Sequence, residues 1–224
     1  MVRIDRLARS RRRTLGLEIL PDGRLLVRAP MRADREFIEQ VVRDKQAWIL
    51  KRQLIAQHRQ KEATPKTFTT GEEFRYLGNN HRLELSQDTA TALTFDGTFK
   101  LAAECRPRGR ELFTVWYRAQ AARVIQERVD LCGARSGLAG GRVRITNARQ
   151  RWGSCSARGK LCFSWRLVMA PLFVIDYVSA HELAHLQHHG HNREFWNLVR
   201  TLEPEYRTAK LWLKQHGHRL DLKA

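Results

Sequence analysis

The spacing of apolar residues along the chain predicts a protein that mixes helices and strands. Leu15, Leu17 and Ile19 alternate before a Pro-Asp-Gly turn, which is typical of a β-hairpin. From Phe37 onward, apolar residues recur at helical spacing, and Asp34 can cap the helix that they predict. The elements predicted up to residue 166 are a hairpin over 14–28, a helix over 34–60, short strands over 67–103, a helix over 110–131, and strands over 142–146 and 149–166.

The C-terminal part of the chain has the pattern of two helical stretches. Pro171 opens the first one, and its apolar residues on several faces indicate that it is buried. The second begins near Asn192 and runs toward Leu213, with a break at Pro204. The segment HELAHLQHHGH, at 181–191, contains five of the nine histidines of the chain.

The composition indicates a folded protein without a membrane span. The chain has 224 residues, which is enough for a sizeable core, and 42% of them are hydrophobic. Its longest apolar run is interrupted by Pro171 and Asp176 and is too short to cross a bilayer. The basic N-terminus lacks the apolar stretch of a signal peptide, and the four cysteines form no C-x-x-C pair. We therefore expect a cytoplasmic protein with reduced thiols and no membrane partner.

The formal net charge of +18 adds an expectation about partners. Such an excess of positive charge favours polyanions, and nucleic acid is a candidate partner. Arginine is spread along the whole chain, however, and the one dense run, Arg9 with Arg11 to Arg13, has no interleaved aromatic residues. The charge therefore predicts a basic surface rather than a specific nucleic-acid site.

The histidine-rich segment carries the chemistry. His181 and His185 are four residues apart on a predicted helix, so both lie on one face and can bind the same metal ion. Glu182 follows the first histidine and lies beside that metal without having to bind it. Zinc lowers the pKa of a bound water to about 7, and Glu182 would serve as the general base that removes its proton. A metal also explains how these polar side chains are accommodated in a buried helix.

A catalytic zinc site has three protein ligands and one open position, so a third ligand is required. The candidates are His188, His189, His191 and a more distant glutamate such as Glu203 or Glu205. His191 fits best, because Gly190 can adopt the left-handed conformation that ends a helix and Asn192 can cap the next one. His188 would point further along the helix axis.

Four stretches of this sequence resemble the YgjP-like metallopeptidase family, which belongs to the zincin class and is akin to SprT-like proteases. They are RWGSCSARGKLCFSWRLVMAP, VIDYVSAHELAHL, HNREFW and PEYRTAKLWL. The similarity runs from about Arg11 to Gly217 and is densest over 149–217. It implies His181, His185 and His191 as zinc ligands and Glu182 as the base. Ser164 and Asn192 depart from the residues usual in the family, and the zinc ribbon of many SprT-like relatives is missing.

The resemblance also directs attention to the predicted hairpin before the metal helix. Zincins place an extended edge strand above that helix, where a peptide can add as a further strand. The matching residues are Trp152, Gly153, Ser154 and Cys155, and Gly153 allows a close approach of the backbone. Trp152 is also a candidate core residue, and Cys155 is either a small buried residue or a redox-sensitive group near the metal. Tyr206 and Arg166 are candidates for stabilising an oxyanion, or else have structural roles.

These observations predict an α+β protein with a zincin-like metalloprotease core and an N-terminal strand-and-helix portion. The expected domains are a basic segment over 1–13, one domain over 14–217 with portions over 14–108 and 109–217, and a C-terminal tail over 218–224. The expected function is hydrolysis of a peptide or protein substrate with one zinc ion per chain. The alternatives are a metal-dependent hydrolase of nucleotides or other phosphoesters and a non-catalytic zinc-stabilised binding module.

Overall fold

The computed structural model describes residues 2–20, 22–62, 65–87 and 90–222. It contains helices and several small sheets, which confirms the predicted α+β class. The chain forms two compact units, residues 1–64 and 65–224. In the part of the chain that the structure describes, none of the helices has the length and apolar character needed to cross a membrane.

The first unit is a three-stranded sheet with two helices. Its elements are β1 (Arg6–Ser10), β2 (Gly16–Ile19), β3 (Leu25–Pro30), α1 (Arg35–Asp44) and α2 (Gln46–Glu62). Strands β2 and β3 are antiparallel neighbours, as the predicted hairpin requires, and Pro21 of its predicted turn lies outside the described residues. The side chain of Asp34 accepts a hydrogen bond from the backbone N–H of Phe37, so the predicted helix cap is confirmed.

The basic N-terminal segment contains a strand that the sequence pattern did not indicate. Strand β1 pairs in parallel with β3, and its side chains are mostly exposed. Because neither face of β1 is buried, it has no apolar alternation that could reveal it. Its position depends on backbone pairing and on Arg9, whose guanidinium donates to the carbonyl oxygens of Pro30, Met31 and Ala33.

In its described residues, the second unit combines two sheets with four α-helices. Its strands are β4 (Glu73–Tyr76), β5 (Asn79–Ser86), β6 (Leu93–Phe95), β7 (Phe99–Ala102), β8 (Arg144–Thr146), β9 (Gly153–Cys155) and β10 (Leu161–Ser164). Its helices are α3 (Gly109–Ser136), α4 (Leu172–Ala184), α5 (Arg193–Leu202) and α6 (Tyr206–His216). The strand orders are β4-β5-β7-β6 and β8-β10-β9, so β9 is an edge strand.

Helix α3 lies at the centre of the core of this unit. Its Phe113 stacks on Phe74 with ring centroids 4.1 Å apart and contacts Phe99 at 4.9 Å. Further along the helix, Arg128 makes two hydrogen bonds to the carboxylate of Asp176 on α4, at 2.5 and 2.8 Å. Helix α3 therefore joins the four-stranded sheet to the helix that carries the histidines.

Two parts of the chain belong to a different structural unit or environment from the one that the sequence predicted. Strands β4 to β7 belong to the unit of residues 65–224, whereas the sequence grouped them with the N-terminal portion. These four strands belong to the second unit because their apolar faces pack against α3 in one core. Leu220 and Leu222, expected in a C-terminal tail, are buried in that core, and Asp221 between them pairs with Arg166 at 2.8 Å.

The aromatic contacts of Phe113 predict a large effect on stability. Phe113 is 0% exposed, so Phe113→Ala leaves a cavity and should lower the free energy of unfolding by about 3–5 kcal/mol. Val115 lies on the same helix with 61% of its surface exposed, and Val115→Ala should change stability by less than about 0.5 kcal/mol. Urea unfolding followed by tryptophan fluorescence measures both. Similar losses for the two variants would contradict the central place of α3 in the core.

Candidate metal centre and active site

The candidate site is built around α4, a helix that is buried along most of its length. Its apolar residues Val174, Ile175, Val178 and Leu183 face the core. His181 and Glu182 lie in its last turn and His185 follows directly, so a rigid element fixes the directions of all three side chains. Glu182 is only 5% exposed.

The chain turns directly after α4, and this turn orients His185. The backbone N–H of His188 donates to the carbonyl oxygen of Ala184 at 3.0 Å. The carbonyl oxygen of His188 in turn lies 3.0 Å from Nδ1 of His185. A proton on Nδ1 makes this contact a hydrogen bond and leaves the lone pair on Nε2 for a metal ion. His188 thus contributes its backbone to the centre.

The turn does not use the conformation that the sequence suggested. Gly190 was expected to take the left-handed conformation, but it is not among the residues with positive φ. The hydrogen bonds around Ala184 and His188 reverse the chain instead, so no glycine is required for the purpose. The expected helix cap is confirmed, because the side chain of Asn192 accepts from the N–H of Phe195 at 2.9 Å and starts α5.

The turn brings His191 back to the other two histidines. Nε2 of His191 lies 3.2 Å from Nε2 of His181. The ring of His185 is 5.0 Å from that of His181 and 4.8 Å from that of His191, measured between centroids. One ligand nitrogen from each of the three residues lies within 4.8 Å of the others. Among the described residues, this is the group of side chains arranged to hold a metal ion.

The donor set and its spacing fit a metal ion such as zinc. Two nitrogens bound to one tetrahedral zinc, each at about 2.0–2.1 Å, are about 3.3 Å apart, close to the distance between His181 and His191. Burial, with the neighbouring histidines and Lys210, lowers the pKa of His181 to about 4. His181 is therefore neutral at physiological pH, as a ligand must be. His191 is exposed, so one side of the centre is open to solvent.

The other candidates for the third metal ligand do not belong to the cluster of three histidines. Burial and the nearby Asp176 raise the pKa of Glu203, whose other neighbours include Arg135 and Arg128. Glu205 accepts a hydrogen bond from the hydroxyl of Thr208. Neither glutamate, nor the side chain of His188 or His189, belongs to the three-histidine group found among the described residues.

The side chain of Glu182, which belongs to α4, lies against the edge strand β9. A Cβ atom placed on Gly153 would be 2.6 Å from both Cγ and Oε1 of Glu182, so the strand can approach this closely only with glycine there. Burial raises the pKa of Glu182 to about 7, although the backbone N–H of Cys155 and the charge of Arg151 act in the opposite direction. A carboxyl group with such a pKa can both accept and release a proton at neutral pH.

The hairpin residues singled out from the sequence form the edge of the three-stranded sheet. Gly153, Ser154 and Cys155 are β9 itself, paired on one side only, with β10. The carbonyl oxygen of Trp152 accepts from the N–H of Ser164 at 2.8 Å, and its ring packs against Gly217. Burial and the charge of Glu182 raise the pKa of the Cys155 thiol, so this thiol is protonated at neutral pH.

The two candidates for oxyanion stabilisation differ in position. Arg166 is buried, pairs with Asp221 and lies 4.4 Å above the ring of Trp165, and none of its described contacts is with the histidine cluster or Glu182. Tyr206 lies closer to the centre. Its ring stacks on Trp196, whose centroid is 5.9 Å from that of His191.

The structure adds residues that the sequence did not single out. Tyr177 lies one turn before His181 on α4, 5.9 Å away between ring centroids. Burial and the charge of Glu182 raise the pKa of Tyr177 to about 12. Phe195 packs on all three histidine rings at 4.6 to 5.0 Å. The spacing of four residues between Tyr177 and His181 could have indicated from the sequence that Tyr177 lies on the same helix face. Phe195 had no such signal, because it reaches the site only through the turn at 185–191.

The site combines a helix that carries two histidines and a glutamate, a third histidine after a turn, and an edge strand alongside. This is the arrangement of a metallopeptidase. A comparison with family models agrees with this class: the YgjP-like metallopeptidase domain matches residues 13–216. The chain belongs to the YgjP-like metallopeptidase family. No curated protein and no solved structure matched it in the corresponding comparisons.

Two glycines beside the site give a matched test of this geometry. In Gly153→Ala the new methyl group would overlap the buried Glu182 side chain, so the free energy of unfolding should fall by about 1–3 kcal/mol. In Gly190→Ala the methyl group meets nothing within 4 Å and φ is not positive, so stability should stay unchanged. Chemical unfolding of both proteins provides the measurement. A neutral Gly153→Ala variant would mean that β9 and Glu182 are further apart.

Proposed function

We propose that this protein is a zinc-dependent metallopeptidase that cleaves peptide bonds by attack of an activated water. The observation that supports this most directly is the convergence of His181, His185 and His191 beside the buried Glu182. When bound, zinc lowers the pKa of a water molecule to about 7 and polarises the carbonyl group under attack. One zinc ion per chain would be held by the three imidazoles.

Glu182 performs the proton transfers in this proposal. Its carboxylate follows the first ligand in sequence and lies against the backbone of β9, where an extended substrate would bind. It takes a proton from the attacking water and donates it to the leaving amine. The adjacent N–H of Cys155 orients the carboxylate.

Strand β9 positions the substrate. Its free edge can pair with an extended peptide through main-chain hydrogen bonds, which would place the scissile bond across the metal centre. The preferred partner is thus a peptide or an unfolded protein segment. Of the two candidates for stabilising the oxyanion, Tyr206 is the one retained, because of its stacking on Trp196 beside His191.

Hydrolysis of nucleotides or other phosphoesters is the second candidate, and the cations near the site favour it. Lys210 lies 4.6 Å above the ring of Trp196, next to the histidines. The described residues contain one group suited to a metal rather than the paired sites of many phosphoesterases. Parallel assays of casein and nucleoside triphosphates separate the two. A non-catalytic binding module would have no need for a buried glutamate at position 182.

Metal content tests the ligand set. His181→Ala, His185→Ala and His191→Ala should each lose most of their zinc on dialysis, because two ligands remain. His188→Ala and His189→Ala should retain about one zinc per chain, because His188 contributes its carbonyl oxygen rather than its ring. Zinc is measured by mass spectrometry after the same dialysis. Loss of zinc from His188→Ala but not from His191→Ala would refute the proposed third ligand.

Substitution of Glu182 tests its role separately from metal binding. Glu182→Gln keeps the shape of the side chain but removes its basicity, so it should retain zinc and lose about 10²–10⁴-fold in the rate of peptide cleavage. Zinc content and the cleavage of a fluorogenic peptide library are measured on the same preparation. A variant that cleaves at the normal rate would show that the base lies elsewhere.

A further inference from the structure

An open cavity lined by cations and aromatic rings lies next to the histidine cluster, and its lining includes Tyr206, the candidate for stabilising the oxyanion. It has a volume of about 430 Å³, and its lining residues are Trp196, Tyr206, Arg207, Lys210, Leu211 and Lys214. The last four recur at positions i, i+3, i+4 and i+7 of α6, so one face of this helix forms a wall of the cavity.

Trp196 connects this cavity to the metal centre. Its ring centroid lies 5.9 Å from those of both His181 and His191. The ammonium group of Lys210 lies 4.6 Å from the centre of the same ring. Lys210 also contributes to the lowered pKa values of His181 and His191, which places its charge within electrostatic reach of both. A group bound in the cavity would therefore be only one or two residues away from the scissile bond of a peptide.

The cavity has positive charge without a compensating acid. Its lining includes three cations and no aspartate or glutamate. Among the described ion pairs, none includes Lys210 or Lys214, and the guanidinium of Arg207 bonds to the neutral hydroxyl of Tyr206. An anionic ligand would complete this arrangement, since it could bind the ammonium groups without displacing a carboxylate.

The stretch of sequence that contains β9 is rich in basic residues as well. Between Asp130 and Asp176 the sequence contains seven arginines and one lysine and no acidic residue, and this stretch includes β9. Arg151, immediately before Trp152, is close enough to Glu182 to lower its pKa. The positive charge of Arg151 thus adds to that of Lys210 near Glu182 and the histidines, which disfavours basic peptides and favours acidic ones.

We propose that this cavity is a specificity pocket for an acidic side chain, so that the enzyme prefers to cleave peptides with a glutamate or aspartate near the scissile bond. The proposal rests on the proposed peptidase function. Lys210 binds the carboxylate, while Leu211, which is 52% exposed on the same face of α6, contacts the methylene groups of the side chain. A nucleobase is a poorer occupant, because stacking on Trp196 would compete with the contacts that the ring already makes with Tyr206 and Lys210.

A set of peptides with Glu, Gln or Lys at each position around one cleavage site tests the preference. With the zinc-loaded protein, kcat/KM should be about tenfold higher for Glu than for Gln at one position, as expected for one charge-assisted hydrogen bond. Lys210→Gln should abolish this difference, so that the Glu and Gln peptides are cleaved with the same kcat/KM within about twofold. Lys210→Glu should reverse the preference in favour of Lys.

The control must separate this pocket from the general attraction between acidic peptides and a chain of net charge +18. Lys100→Gln makes the same chemical change at a lysine paired with Asp96, so it should leave the preference intact. All variants should retain their zinc. A Glu preference that survives Lys210→Gln, or that Lys100→Gln removes equally, would overturn the proposal.

A binding measurement keeps the test independent of catalysis. Calorimetric titration of metal-free protein at about 0.15 M salt should show tighter binding of the Glu peptide than of the Gln peptide, and Lys210→Gln should remove the difference. If no peptide is cleaved yet this pattern appears, the peptidase function fails while the acidic pocket stands. If Lys210→Gln weakens binding of ATP and leaves that of the Glu peptide unchanged, the pocket is a phosphate site and the proposal is wrong.

Discussion

The burial of α4 is the constraint on which the rest of the site depends. In this helix, packed against α3 and β9, the buried carboxyl group of Glu182 needs a partner, since an unpaired buried polar group is costly, and Nδ1 of His181 is itself buried without a hydrogen-bond partner among the described residues. The N–H of Cys155 serves Glu182, and the converging histidines provide a place for a metal ion. Burial also keeps His181 neutral, and a neutral imidazole is the form that binds metal.

The short turn after α4 brings His191 back to His181 and His185, so that three histidines converge. His188 closes the turn with its N–H and orients His185 with its carbonyl oxygen, so the backbone of one residue has both roles. Asn192 then caps α5 and holds His191 at the corner. The crowding of histidines in this segment therefore has two physical origins: three side chains converge, and the backbone between them sets their geometry.

Positive charge around the histidine cluster affects both the pKa values of the site residues and the kind of substrate that the site attracts. Arg151, just before the strand proposed to bind the peptide, lowers the pKa of Glu182 through its charge, and Lys210 and Lys214 line the cavity along α6. These cations come from segments more than fifty residues apart in the sequence, so their meeting depends on packing. In the proposed function, an acidic substrate would be attracted to such a site.

The sequence by itself determined the α+β class, the hairpins at 14–28 and 149–166, the helix caps at Asp34 and Asn192, and the histidines that converge, because each depends on local spacing or on a distinctive motif. Tertiary structure decided what depends on contacts distant in sequence. The exposed strand β1 lacks apolar alternation, and Leu220 and Leu222 are buried only because the C-terminus packs back onto the core. The turn forms without a left-handed Gly190, because hydrogen bonds reverse the chain there. Phe195 reaches the histidines through this turn, and Lys210 lies near them because α6 packs beside Trp196, so side-chain packing between separate helices, rather than periodicity, sets both positions.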